Sequence, residues 1–84
     1  MFYAYIIRSE MDYSKFYYGS TDNLRRRIRD HNSGKNLTTK DSKPWKLIWY
    51  GGFANEGEAR EFERYLKTAS GKAFARKRLI SDFV

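Results

Sequence analysis

Two short runs near the start of the chain, FYAYIIR (2–8) and KFYYGS (15–20), are dominated by aromatic and β-branched side chains and separated by the polar stretch Ser9 to Ser14. Runs of this length and composition predict strands, and the polar connection predicts that they pair as a hairpin. Alternation puts Tyr3, Tyr5 and Ile7 on one face of the first strand and Lys15, Tyr17 and Gly19 on one face of the second. Tyr5 and Tyr17 therefore share a face wherever the register permits.

The remaining segments complete a small layered domain. Ser20, Thr21 and Asp22 offer N-cap oxygens before Leu24, and the periodic stretch through Asn32 ends at Gly34, a suitable C′ residue, so a helix is predicted here. That helix carries Arg27 and His31 four residues apart, hence on one face, beside the Leu24 and Ile28 stripe that must pack on the sheet. Trp45 to Phe53 reads as a third strand, with Pro44 at its mouth, Gly51-Gly52 near its end, and Trp45, Leu47 and Trp49 alternating against Lys46, Ile48 and Tyr50. Asn55 followed by Glu58 resembles a capping box, and opens a helix whose Ala59, Phe62, Leu66 and Ala69 recur at three and four, with Glu63 beside that stripe. An interruption at Ser70-Gly71 and a resumption through Ile80, anchored by Phe74, finishes the pattern. The expected class is α+β: a three-stranded antiparallel β-sheet flanked by α-helices, one domain over residues 1–84, without repeats or linkers.

A chain of 84 residues buries only about 60 % of its unfolded surface, so functional groups lie near the surface. Zero cysteines exclude disulfides and thiolate zinc sites, and a lone histidine cannot complete the usual nitrogen ligation of zinc. Any metal bound here should favour oxygen. Arg8, Glu10 and Asp12 stop the apolar start before a signal peptide or membrane span could form, which makes a cytoplasmic protein without a membrane partner the expectation.

Seventeen Lys and Arg against ten Asp and Glu leave a formal charge of +7, with 18 % aromatic residues. Arg25, Arg26, Arg27, Arg29, Lys35, Lys40 and Lys43 form one basic segment; Lys67, Lys72, Arg76, Lys77 and Arg78 form another, with no acid from Arg64 through Ile80. This distribution suits a phosphate backbone, with binding that weakens as salt rises. A basic surface serving only solubility is the alternative that charge alone leaves open.

Tyr3-Ala4-Tyr5 and Tyr17-Tyr18-Gly19 resemble the two namesake motifs of the GIY-YIG nuclease superfamily, in a version where the first reads YAY and the second YYG. The stretch GSTDNLRRRIRDHNSGK resembles the family's segment in which an arginine and a histidine four apart follow the glycine, and Arg27 and His31 fit that spacing. Further on, EAREFERYLK resembles the family's later helix, where a glutamate binds the catalytic metal, and Glu63 falls at that place. The similarity spans roughly the whole chain. It is nearest to small single-domain members akin to the amino-terminal nuclease domain of the bacterial nucleotide-excision repair endonuclease.

That resemblance implies a metal-dependent endonuclease hydrolysing DNA phosphodiester bonds, of low sequence specificity, with a role in DNA repair or recombination. It implies Mg²⁺ or Mn²⁺ on Glu63, whose single carboxylate such a hard ion can complete with waters and phosphate oxygens. Glu63 read alone is also an ordinary i, i+4 ion pair with Lys67, worth ~0.3–0.5 kcal/mol. Arg27 would clamp the transition state with its planar fork. Tyr17 would activate the water, since a phenol, ordinarily of pKa about 10, can act as a base where cations favour its anion. Tyr5 would position water or phosphate, and His31 would bond a tyrosine hydroxyl or accept a proton; a helix-dipole cap is the alternative for His31. Half-buried strand aromatics are what the tyrosines would otherwise be. Arg25, Arg26, Lys40, Lys72 and Arg76 are the candidate nucleic-acid contacts, although solvated helix residues are the preferable reading of Arg25, Arg26 and Arg29. One departure stands out: Ser20 occupies the place where repair-type members carry a lysine. Specificity would come from a protein partner or from substrate shape. Two rivals remain, a catalytically inactive nucleic-acid-binding module and a partner-binding role for exposed aromatics and Trp45 or Trp49.

Overall fold

In the computed structural model, which describes residues 1–84, the central strand β1 (Phe2–Ser9) pairs antiparallel with β2 (Phe16–Thr21) on one side and β3 (Trp45–Phe53) on the other. Helix α1 (Leu24–Ser33) covers one face, while α2 (Glu56–Leu66) and α3 (Ala69–Arg78) cover the other; short 3-10 turns lie at Lys40–Ser42 and Ser81–Phe83. This is the expected α+β class. Because β1 is covered on both faces, its run Ala4 to Ile7 is wholly buried. Ile6 packs with Tyr18, Leu66, Ala75 and Ile80, and Tyr5 and Ile7 pack with Trp45, Leu24 and Ile28. No helix is long and apolar enough to cross a membrane.

The hairpin register sets Tyr5 opposite Gly19 and Ile7 opposite Tyr17, so Tyr5 and Tyr17 are diagonal neighbours beneath α1. On the other side of β1 the register shifts between Ile6 and Ile7, where β3 holds an extra residue. The expected alternation of β3 is broken there: Trp45 and Leu47 stay on the α1 face, but Ile48 and Trp49 both pack on the α2–α3 face. A bulge inverts the side-chain phase downstream of it, which a simple period of two cannot anticipate.

Two helix boundaries also differ from expectation. Ser20 and Thr21 remain in the β ladder, paired with Ala4 and Tyr3, and the N-cap of α1 is Asn23, whose Oδ1 accepts from the Arg26 N–H at 3.0 Å. Gly34 ends α1 in the left-handed region at φ 83°. The break between α2 and α3 falls at Lys67-Thr68 rather than Ser70-Gly71, because the Thr68 Oγ1 caps the Gly71 N–H and starts the new helix earlier. Phe74 is not the anchor of α3: it is 39 % exposed, while Gly71 and Ala75 turn inward. The two helices approach so closely that only small residues fit between them.

Candidate active site

The site begins at a glycine. A Cβ on Gly19 would lie 2.4 Å from the Tyr5 hydroxyl oxygen and 2.5 Å from its Cζ. The bare backbone of β2 thus lets the Tyr5 ring lie flat across it and carry its hydroxyl to the edge of the sheet. There Tyr5 Oη meets His31 Nε2 at 2.8 Å and accepts a hydrogen bond from Arg27 Nε at 3.3 Å. Arg27 and His31 reach it together because α1 presents both on the face that packs on the sheet. Tyr17 closes the cluster, its ring centroid 4.9 Å from His31 and 6.5 Å from Tyr5.

His31 is fully buried, and its second nitrogen, Nδ1, lies 2.7 Å from Thr39 Oγ1. Thr39 is itself buried, and its carbonyl accepts from Trp45 Nε1 at 2.8 Å. A chain of hydrogen bonds therefore runs from Arg27 through Tyr5 and His31 to Thr39, orienting the imidazole from both sides. Burial raises the Tyr5 hydroxyl to a pKa of about 12 against the opposing pull of Arg27, which keeps it protonated at neutral pH. Burial, helped by the nearby Arg27 charge, lowers His31 to about 4, so its ring is neutral and cannot act as a charged cap on α1. Burial also disfavours the Arg27 cation, but the Tyr5 hydrogen bond and the neighbouring phenols outweigh it, and the net shift is upward.

His31 has a consequence for stability. Above pH 6.5 neither the folded nor the unfolded state carries its proton; as pH falls from 6.5 toward about 4 the unfolded chain binds the proton first, and stability declines through that window. At 1.36 kcal/mol per pKa unit, discounted for residual hydration, the loss should reach about 2 kcal/mol. Urea midpoints measured from pH 7 to pH 4.5 should fall more steeply for the wild type than for His31→Asn. Equal slopes would remove His31 as the cause.

Glu63 comes from the other side of β2. Ser20 faces α2, as strand alternation requires, and its Oγ donates to Glu63 Oε1 at 2.5 Å; Lys67 Nζ bonds Oε2 at 2.7 Å. The Glu63 side chain is only 20 % exposed. Lys67 links the two groups of residues, its Nζ lying 6.0 Å from the centroid of the Tyr17 ring. Glu63 and the Ser20 hydroxyl form a hard oxygen donor set, and no group of three acidic or histidine side chains gathers anywhere in the molecule. Such a set fits a Mg²⁺ or Mn²⁺ that keeps several waters and shares phosphate oxygens, and fits no fully protein-ligated ion.

Beside Ser20 and Arg27 opens a cleft of about 300 Å³ between the starts of α1 and α2. Two of its arginines are paired, Arg26 with Asp22 and Arg60 with Glu56, each at 3.0 Å; Arg27 has no carboxylate within 4.0 Å. Of the other candidate phosphate contacts, Arg25 and Lys40 are exposed, and Lys72 and Arg76 lie on α3 near Tyr18, with Lys72 Nζ 5.9 Å from that ring. The structure therefore gathers Tyr5, Tyr17, Arg27 and His31 into one cluster and sets Glu63 at its edge. Thr39 was missed in the sequence, where nothing distinguishes it within a polar loop. Lys67 was legible only as a partner of Glu63 on one helix.

The description of the GIY-YIG catalytic domain matches residues 1–78. Over 65 residues the chain is 42 % identical to a UPF0213 protein of Streptococcus pneumoniae, covering 76 % of this chain and 66 % of that protein. Over 68 residues it is 37 % identical to a UPF0213 protein of Clostridium perfringens, covering 80 % of this chain and 71 % of the relative. A third relative, the structure-specific endonuclease subunit SLX1 of Podospora anserina, is 36 % identical over 69 aligned residues, covering 75 % of this chain and 20 % of that protein. The matched region thus spans about two thirds of the UPF0213 relatives and a fifth of the endonuclease subunit.

Proposed function

The chain belongs to the GIY-YIG catalytic-domain family, and on that premise we propose that it is a divalent-metal-dependent endonuclease hydrolysing DNA phosphodiester bonds. The observation that carries this reading is the cluster at the Gly19 edge: an arginine without a carboxylate partner, two tyrosines and a buried histidine, with a carboxylate alongside. Tyr17, reacting as its phenolate after releasing its own proton to solvent, accepts the proton of the attacking water at Oη, and Arg27 binds the phosphate oxygens as the pentacoordinate phosphorus gains negative charge and the bond to the leaving sugar oxygen breaks. Tyr5, kept protonated and bonded to both Arg27 and His31, orients the guanidinium. Glu63 would hold a Mg²⁺ or Mn²⁺, whose Lewis acidity would supply charge stabilisation at the phosphate. Exposed Arg25, Lys40, Lys72 and Arg76, together with Arg26, position the duplex backbone without reading its bases. Sequence specificity is low, and DNA structure rather than sequence selects the substrate, in keeping with the name of the fungal relative, a structure-specific endonuclease subunit. The proposal extends to a repair or recombination role in the cytoplasm, with a protein partner supplying specificity.

The test uses pure protein with supercoiled plasmid, branched and single-stranded DNA, in Mg²⁺, Mn²⁺ or EDTA. Metal-dependent nicking is expected, and Tyr17→Phe and Glu63→Gln should abolish it. Nicking that persists unchanged in both variants would come from a contaminant and sink the assignment. One observation favours the rival, a module that holds nucleic acid without cutting: both Glu63 oxygens are occupied by Ser20 and Lys67. Binding with a steep salt dependence but no cleavage on any substrate would select it.

A further inference from the structure

A divalent ion arriving at Glu63 would meet two groups already bonded to its carboxylate. Its Oε2 is held by Lys67 Nζ at 2.7 Å and its Oε1 by the Ser20 hydroxyl at 2.5 Å, whereas Mg²⁺ needs a carboxylate oxygen at about 2.0–2.1 Å. A hydroxyl can rotate its proton away and offer a lone pair, so Ser20 is compatible with an ion on Oε1. An ammonium has only donors and cannot. An ion on either oxygen would therefore stand close to the Lys67 ammonium, whose charge repels it for as long as Lys67 stays on Oε2. Lys67 is free to leave: its side chain is 49 % exposed, on a flexible four-carbon stem at the end of α2. The Tyr17 ring lies within reach of it, with Nζ 6.0 Å from the ring centroid, at the outer limit of a cation–π contact.

We propose that Lys67 is a displaceable counter-ion of the site: it neutralises Glu63 when no divalent ion is bound, and on binding moves to the Tyr17 side, where it becomes the site's second cation after Arg27. The inference rests on Glu63 being the metal ligand. From its second position Lys67 would stabilise negative charge on the Tyr17 oxygen or on a phosphate lying against it, without a ligand role of its own. No other side chain ion-pairs with Glu63, and of the basic groups on α3, Lys72 lies over the Tyr18 ring and Arg76 acts on Tyr18 through its charge.

The two halves of the proposal pull in opposite directions on measurement. Mn²⁺ binding is followed by calorimetry, and cleavage of plasmid is followed at saturating Mn²⁺, for wild type, Lys67→Met and Glu63→Gln. Lys67→Met should bind Mn²⁺ about two- to fivefold more tightly, because a competing and repelling cation is gone. At saturating Mn²⁺ its cleavage rate should fall about tenfold, because the second cation is gone as well. Unchanged Mn²⁺ affinity would overturn the displacement. Tighter binding with unchanged cleavage would make Glu63–Lys67 an ordinary surface pair and overturn the second role. Glu63→Gln reports separately on the premise: if it binds Mn²⁺ as well as wild type does, Glu63 is not the ligand, whatever Lys67 does.

Discussion

Arg27→Ala should lower the cleavage rate at saturating metal by on the order of 10³-fold, between the typical cost of losing one oxyanion donor and that of losing an arginine finger. Four arginines lie between positions 25 and 29, yet the geometry singles this one out. Arg26 is committed to Asp22, and Arg25 and Arg29 line a separate apolar groove with Leu24, Ile28 and Leu47. Arg27 alone combines contact with the Tyr5 hydroxyl, a place in the cleft beside Ser20, and the lack of a carboxylate partner. Its Nε–H is spent on Tyr5, which aims the planar fork and leaves its terminal groups as donors for phosphate. Arg27→Lys keeps the charge but loses both the fork and the aim, so it should recover only a small part of the rate. Mn²⁺ affinity should stay near the wild-type value in both variants, because Glu63 is held from another element. Cleavage by Arg27→Ala within tenfold of wild type would remove the clamp.

Gly71→Ala should be the most destabilising glycine-to-alanine change in the molecule. A Cβ at position 71 would stand 1.7 Å from the Tyr65 carbonyl oxygen, 2.5 Å from its carbon and 2.9 Å from Leu66 Cα. All three are backbone atoms at the end of α2, so no side chain can turn aside. Relief requires α3 to slide away from α2, which opens the packing of Leu66, Ala75 and Ile80 beneath them. Overpacking costs typically about 1–3 kcal/mol where side chains can adjust, and here it should reach the top of that range or beyond. A domain of 84 residues has only about 4–13 kcal/mol in total, so a thermal midpoint lower by roughly 10–20 °C is expected. A midpoint within a few degrees of wild type would contradict the close crossing. Because Lys67 lies in the same junction, the variant should also disturb the Glu63 pair, whereas the Tyr5–His31 contact on the far face should survive.

Local chemistry was enough for much of this molecule. Alternation in FYAYIIR and KFYYGS, the spacing of Arg27 and His31, and the Asn55 and Gly34 boundaries are set by contacts within a few residues, and each appears in the fold as read. Elsewhere a local rule met a longer-range competitor. Ser20 and Thr21 looked like caps because their hydroxyls suit that role, but ladder pairing with β1 claimed them first. Trp49 lies on the face opposite to the one simple alternation predicts, because a bulge depends on how β3 meets β1, and Phe74 does not anchor α3, because interhelical distance, set by Gly71, decides which residue turns inward. Ser20 itself changes meaning: read as a lysine lost, it is a hydroxyl bonded to Glu63.

For the candidate site, sequence settles which residues exist to do chemistry, since a chain with one histidine, no cysteine and two basic segments has few arrangements to choose from. Tertiary structure decides which of them meet. Tyr5 reaches Arg27 and His31 only because Gly19, fourteen positions away in the chain, lies directly opposite it in the ladder. Thr39 orients His31 from a loop, and Lys67 stands between Glu63 and Tyr17. Periodicity carries information over three or four residues, whereas these contacts join residues 8 to 50 positions apart; they exist because helices on both faces of one sheet bring their ends to the same edge.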